Sequence, residues 1–145
     1  MAIDIEEQYD KIYRYCYYRL RDRERAEDVT QETFLRWFAS DTYRNQGQLL
    51  QYLYTVARHL CADQFRRPAE HPLPEELPAE DADPLLSIAL RAELDKLSPG
   101  DQELVLLRYV NEVPVNVLAR LYGVSRFTLW RRLDRILAVL REALE

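Results

Sequence analysis

The sequence predicts an all-α chain: two small helical domains joined by an acidic, proline-rich linker, the second containing a helix-turn-helix. Three observations predict it. Apolar residues recur every three or four positions through most of the chain, the period of an amphipathic helix, and no stretch alternates with the period of two that marks a strand. Between Pro68 and Pro84 that period vanishes, and the stretch carries five of the seven prolines, six acids and no Lys or Arg. Beyond it, Val115 to Leu144 reads as two short helices around Gly123, the second rich in arginine.

Length and composition bound the rest. The 145 residues suffice for one domain or two very small ones, and 48% hydrophobic with 31% charged residues suits a packed fold in water. The predicted division is residues 1–67, a linker at 68–84, and residues 85–145. No apolar run approaches the roughly 20 residues that span a bilayer, and Met1 to Glu7 is acidic with no signal-peptide core. A cytoplasmic protein without membrane insertion is expected. Cys16 and Cys61 are isolated in the sequence on apolar helical faces and read as buried thiols, neither a disulfide nor a metal site. His59 and His71 offer no ligand spacing.

The net charge of −5 conflicts at first with the arginine-rich C-terminal stretch. Its distribution resolves the conflict: without the six acids of the linker (Glu70, Glu75, Glu76, Glu80, Asp81, Asp83) the remainder carries +1. Only Lys11 and Lys96 among the 20 basic residues are lysines, and arginine's planar fork suits phosphate and base-edge contacts. Electrostatic affinity of the whole chain for DNA should still be weak and salt-sensitive. That balance fits a protein delivered to DNA by a partner.

In chain order, Tyr9 to Leu20 is helical, with Ile12, Cys16 and Leu20 on one face and Tyr9, Tyr13 and Tyr17 at the core edge. Arg25 to Phe38 is a second helix. Ala26, Val29, Thr33 and Trp37 share one face, flanked by Phe34 and Phe38. Asp28, Gln31, Glu32 and Leu35 share the other side, since residues three and four apart are neighbours. That mixed side is either a solvated face or a docking surface for a partner helix. Ser40 to Gln48 is a polar loop. Leu49 to Arg67 is a third helix, with Leu49, Leu53, Val56 and Leu60 as its apolar stripe. Gln51, Tyr52, Tyr54, Arg58, His59, Asp63, Arg66 and Arg67 occupy the rest, a mixture of aromatic, basic and amide groups that fits stacking and pairing with unpaired bases.

After the linker, Leu86, Leu90, Leu94 and Leu97 begin the second domain on a helix. Ser98-Pro99 reads as an N-cap with proline at the first helical position. The next helix carries Leu104, Leu107 and Val110, and Asn111 to Pro114 turns into the helix-turn-helix. There, Ala119 allows a close helix crossing. Gly123 supplies the φ > 0 stop, Val124 is expected to plug the core, and Ser125 caps the next helix. Arg126, Arg131, Arg132 and Arg135 make that helix basic, with Asp134 its only acid up to Arg141. An ordinary helical hairpin with a solvated basic face is the plain alternative.

These parts, in this order, resemble the sigma-70 family of bacterial transcription initiation factors, and specifically its extracytoplasmic-function group. Ala26 to Arg36 is similar to the family helix that docks on the clamp helices of the polymerase β′ subunit. Leu53 to Arg67 is similar to the helix that opens the −10 element. Leu97 to Arg135 is similar to the domain that reads the −35 element and meets the β flap. The resemblance implies that Asp28, Gln31, Glu32 and Leu35 contact core RNA polymerase. It implies −10 contacts from Arg44, Asn45, Gln46 and Gln48 in the base-capturing loop, and from Tyr52, Arg58, His59, Arg66 and Arg67. It implies −35 contacts from Ser125, Arg126, Phe127, Thr128, Arg131, Arg132 and Arg135. His59 stands where the family usually has asparagine, and Tyr52 where tryptophan is usual.

Phe127 and Trp130 are larger and more apolar than the family usually carries in the recognition helix. One reading is contact with thymine methyls; the other is a patch for a protein partner such as an anti-sigma factor. Phe127 fits the first better, and Trp130 fits packing at the domain edge.

The leading function is therefore a sigma factor that binds core RNA polymerase and directs initiation through −10 melting and −35 recognition. The alternatives are a degenerate sigma-like adaptor or co-regulator, and a polymerase-independent helix-turn-helix regulator of promoter DNA. An enzyme is not expected: there is no glycine-rich phosphate loop, no metal cluster and no nucleophile–base pair, so no catalytic residue, metal or cofactor is assigned.

Overall fold

A computed structural model describes residues 4–40, 48–66 and 88–144. They fall into two compact units that divide between Glu76 and Leu77. Every regular element among the described residues is helical. The expectations for Arg44, Asn45, Gln46, Arg67 and the 68–84 linker lie outside them.

The first unit is a bundle of α1 (Ile5–Leu20), α2 (Arg23–Ala39) and α3 (Leu49–Arg66), each packed on the other two. Local chemistry sets the starts. Asp4 caps α1 by accepting from the Glu7 N–H at 3.1 Å, and Asp22 caps α2 by accepting from the Arg25 N–H at 3.2 Å. Arg21 closes α1 in the left-handed region at φ 51°, its N–H donating to the Tyr17 carbonyl at 2.8 Å.

The core follows the apolar stripes, with two departures. Ile12, Cys16 and Leu20 of α1 are buried as their spacing requires, but Tyr15 is buried completely as well. Its ring meets Tyr54 of α3 edge-on, centroids 6.1 Å apart, an arrangement that favours aromatic quadrupoles. Tyr54 therefore belongs to the core and not to the polar face expected for it. The buried stripe of α3 is Leu49, Leu53, Tyr54, Ala57 and Cys61, while Val56 and Leu60 are only half-buried.

On α2, Thr30 and Thr33 are buried with the apolar face, each donating its hydroxyl to the carbonyl four residues back at 2.7 Å. That bond lets a polar side chain enter the core without an orphaned oxygen.

The two cysteines, 45 positions apart in sequence, both lie fully buried, on α1 and α3. The Cys61 thiol hydrogen-bonds to Cys16 and holds it below the usual thiol range, assisted by Thr30 and opposed by burial.

The second unit contains α4 (Ile88–Asp95), α5 (Pro99–Val105) running into a π turn (Leu106–Val110), α6 (Val115–Tyr122) and α7 (Arg126–Leu144). Helix α7 is its spine: α4, α5 and α6 all pack against it. Ser98 caps α5, accepting from the Asp101 N–H at 3.2 Å, with Pro99 in the first turn. Leu104 and Leu107 are buried as expected, but Val110 is 44% exposed. The π turn is the reason. An Asn111 N–H to Leu106 carbonyl bond at 2.9 Å adds a residue to that turn, which rotates Val110 outward and carries Asn111 into the core.

The helix-turn-helix forms around Gly123, at φ 69°. The Gly123 N–H donates to Arg120 at 3.3 Å and the Val124 N–H to Ala119 at 3.0 Å, satisfying the last carbonyls of α6. Ala119 is buried, where a larger side chain would separate the helices. Val124 does not plug the core; it is exposed, and its backbone closes the turn instead.

Candidate partner and nucleic-acid interfaces

The outward side of α2 is built by exclusion. With Ala26, Val29, Thr30, Thr33, Phe34 and Trp37 turned inward, Asp28, Gln31, Glu32 and Leu35 are left exposed, beside the equally exposed Glu24, Glu27 and Arg36. Leu35 is 62% exposed, which no packing within this unit requires. The acids sit in the N-terminal part, with Glu32 bridged to Arg36 at 3.0 Å and the Gln31 amide donating to Glu27 at 3.3 Å. Tyr9 of α1 braces this side: its ring lies 5.2 Å from Phe34 and its hydroxyl reaches Gln31. Burial, and next the Glu27 charge, push the Tyr9 phenol above its ordinary range, opposed by the hydrogen bond with Gln31. Sequence reasoning placed Phe38 beside the core; it is exposed, its ring tilted against Trp37 with centroids 4.7 Å apart, and extends the apolar end of the face. The result is a ridge that runs from acidic to apolar along one helix.

On α3, Tyr52, His59 and Arg66 recur every seven residues and so share one side. Gln48 is exposed at its start, Tyr52 is half-buried, and His59 and Arg66 are exposed. Arg66 pairs with Asp63 at 3.4 Å. Arg58 is half-buried and one residue out of this register, about 100° around the helix. Sequence reasoning missed Phe65, which is exposed with the Arg19 guanidinium 5.8 Å above its ring. The signal for it was the apolar residue beside Arg66, off the buried stripe.

In the second unit, the N-terminal turns of α7 present Ser125, Arg126, Phe127, Thr128 and Arg131 to solvent, with Arg135 exposed a turn further on. The Ser125 hydroxyl caps the helix, accepting from the Thr128 N–H at 3.1 Å and bonding the Thr128 hydroxyl at 3.0 Å. Arg131 lies over the Phe127 ring at 5.5 Å. Trp130, expected to pack at the domain edge, is 46% exposed and carries Arg108 over its ring at 5.8 Å.

Arg132 is set apart from the other arginines. Its guanidinium bonds Asp101 of α5 at 3.0 Å through both Nε and Nη2, and lies 5.6 Å from the Tyr122 ring. The Tyr122 hydroxyl in turn bonds the buried Glu103 carboxylate at 2.5 Å. Arg132 thus fastens α7 to α5 and α6 and does not extend into solvent with its neighbours.

Among the described residues no group of His, Cys, Asp and Glu could hold a metal ion, and no helix is long and apolar enough to cross a membrane.

Residues 5–70 match the family model described as sigma-70 region 2. The chain is 36% identical over 128 residues to the extracytoplasmic-function (ECF) RNA polymerase sigma factor BldN of Streptomyces coelicolor, covering 79% of this chain and 48% of that protein. It is 30% identical over 153 residues to the ECF sigma factor SigE of Mycolicibacterium smegmatis, covering 97% of this chain and 60% of that one. The chain thus spans about half the length of these curated relatives. Among solved structures, the sigma factor RpoE, co-crystallised with the anti-sigma factor NepR from Bartonella quintana, superposes with a TM-score of 0.61. That match covers 94% of this chain and 91% of the other at 19% identity, a likeness of fold.

Proposed function

The chain belongs to the sigma-70 family, in its extracytoplasmic-function group, and on that premise we propose that it is a dissociable, cytoplasmic initiation subunit without catalytic chemistry of its own. The first unit docks on core RNA polymerase and opens the −10 element, and the second reads the −35 duplex.

The observation that carries this reading is the exposed α2 ridge of Asp28, Gln31, Glu32 and Leu35. An apolar residue 62% exposed beside three unburied polar ones, with Phe38 exposed one turn on, supports a binding surface over a solvated face, since most of the Leu35 side chain lies outside the bundle. A regulator acting without polymerase gains nothing from this ridge. Docking is assigned to the β′ clamp helices, with the β flap as partner of the second unit. The α3 side bearing Tyr52, His59 and Arg66, with Gln48 at its head, supplies one stacking group and two polar ones toward unpaired −10 bases. Arg126, Phe127, Arg131 and Arg135 supply the −35 face, and Arg132 holds α7 in place behind them. The Leu35–Phe38 end also suits an anti-sigma factor that competes with polymerase for one surface.

Titration of labelled full-length chain with core RNA polymerase tests this. Saturable binding is expected, weakened at least about 30-fold by combined Asp28→Ala, Gln31→Ala and Glu32→Ala, the cost of losing one interface hot spot or more. Equal binding by the triple variant, or no binding by wild type, would contradict the assignment.

A further inference from the structure

The surface of α7 offers a narrower reading than its four arginines suggest, and it rests on the −35 assignment above. In the first two turns the Ser125 and Thr128 hydroxyls are engaged with each other and with the helix cap, at 3.0 and 3.1 Å. Leu129 is buried and Arg132 is held by Asp101. Trp130 lies under the unit's own Arg108. Arg126, Phe127 and Arg131 remain.

Phe127 is 69% exposed on a helix whose other large apolar side chains are better covered. Nothing in the fold calls for a phenyl ring there. The Arg131 guanidinium over it, at 5.5 Å, is held by the ring's electron-rich face and reaches the groove from the same side of the helix, four residues on. Base edges in the major groove present donors and acceptors, which a phenyl ring would leave unpaired; thymine alone presents an apolar methyl group. An arginine fork matches the paired acceptors O6 and N7 of guanine. Arg126, Arg131 and Arg135 are exposed around the ring and Asp134 is the only acid of α7 before Glu142, so the face suits an anionic partner such as the phosphate backbone.

We propose that Phe127 reads one thymine of the −35 element through its 5-methyl group, while Arg131, aligned by the Phe127 ring, takes a guanine on the same stretch of groove. Phe127 and Arg131 act as one unit: the ring supplies the apolar contact and fixes the arginine whose donors supply the polar one.

The test uses holoenzyme reconstituted from core polymerase and the full chain. A −35 sequence is selected from duplexes randomised upstream of the start site. Each thymine is then replaced by uracil, and each guanine by 7-deazaguanine, in separate duplexes. One uracil position is expected to lose about fourfold in affinity, the worth of one buried methyl group. Phe127→Ala should bind thymine and uracil equally there, Phe127→Leu should keep part of the discrimination, and Arg131→Ala should lose the penalty for one 7-deazaguanine. Thermal unfolding of Phe127→Ala should match wild type, since the ring is exposed. Uracil tolerated at every position by wild type, or the same uracil penalty in Phe127→Ala, would overturn the inference while leaving −35 selection intact. Failure of wild type to enrich any upstream sequence would overturn −35 reading itself, and the inference with it.

Discussion

Arg132 and Asp101 lie 31 positions apart in sequence and meet at 3.0 Å, joining α7, to which the −35 face is assigned above, to the first turn of α5. The pair is partly buried, with side chains 31% and 19% exposed. Its donor also covers the Tyr122 ring, so one guanidinium touches α5, α6 and α7 together. Removing it should loosen the angle at which α7 is offered to DNA, without deleting a base contact.

A double-mutant cycle on Arg132→Ala and Asp101→Ala should give a coupling of about 1 kcal/mol in unfolding free energy, reduced by solvent screening and salt. Arg132→Gln should weaken binding to all −35 sequences alike. A change of preferred base in Arg132→Gln would restore this residue to the reading face.

Gly123 turns α6 into α7 at φ 69°, and a Cβ there would meet nothing within 4 Å. The cost of a side chain is therefore backbone strain alone. Gly123→Ala should lower stability by about 1–2 kcal/mol, and Gly123→Asn by less, because asparagine tolerates the left-handed region. Chemical denaturation of the two variants against wild type measures both.

Cys16 and Cys61 should resist a thiol reagent in the native protein and react only as fast as the bundle opens, since both are fully buried. The hydrogen bond from Cys61 lowers the Cys16 value in the fold. A group with a depressed folded value adds stability above its unfolded value, about 8.5 for a thiol, and loses it as pH falls through the folded value. Under reducing conditions, wild type should therefore gain stability relative to Cys16→Ala as pH rises through that window. A gap that does not change with pH would remove the thiol from the account.

The six acids between Pro68 and Pro84 should oppose association with DNA by charge alone. Replacing Glu70, Glu75, Glu76, Glu80, Asp81 and Asp83 by their amides should raise the affinity of the polymerase-free chain for duplex at low salt. The gain should vanish near 1 M salt, where screening acts within about 3 Å. An unchanged affinity at low salt would reject this role.

What could be read from the sequence was what neighbouring residues decide. Ser98-Pro99, Gly123 and Ser125 are capping signals spanning three or four positions, and each sits in the predicted turn or cap. The α2 ridge was legible because Ala26, Val29, Thr33 and Trp37 fix which side faces inward. What escaped depends on distance or on a break in period. Val110 follows Leu104 and Leu107 on an α-helical count that the π turn interrupts. Tyr54 looked amphipathic until Tyr15 supplied its partner. Arg132 was one cation among four until Asp101 came within reach. The two thiols looked isolated because nothing in the sequence brings α1 and α3 together.

The central claim is that this chain starts transcription through the α2 ridge. Run-off transcription with core RNA polymerase, on a promoter selected by the reconstituted holoenzyme, tests it most directly when wild type is compared with the Asp28→Ala, Gln31→Ala, Glu32→Ala triple variant. Promoter-specific transcripts from wild type, lost in a triple variant that melts at the wild-type temperature, are the predicted result. Equal transcription by the two proteins, or core binding by wild type without any transcript from that promoter, would contradict it.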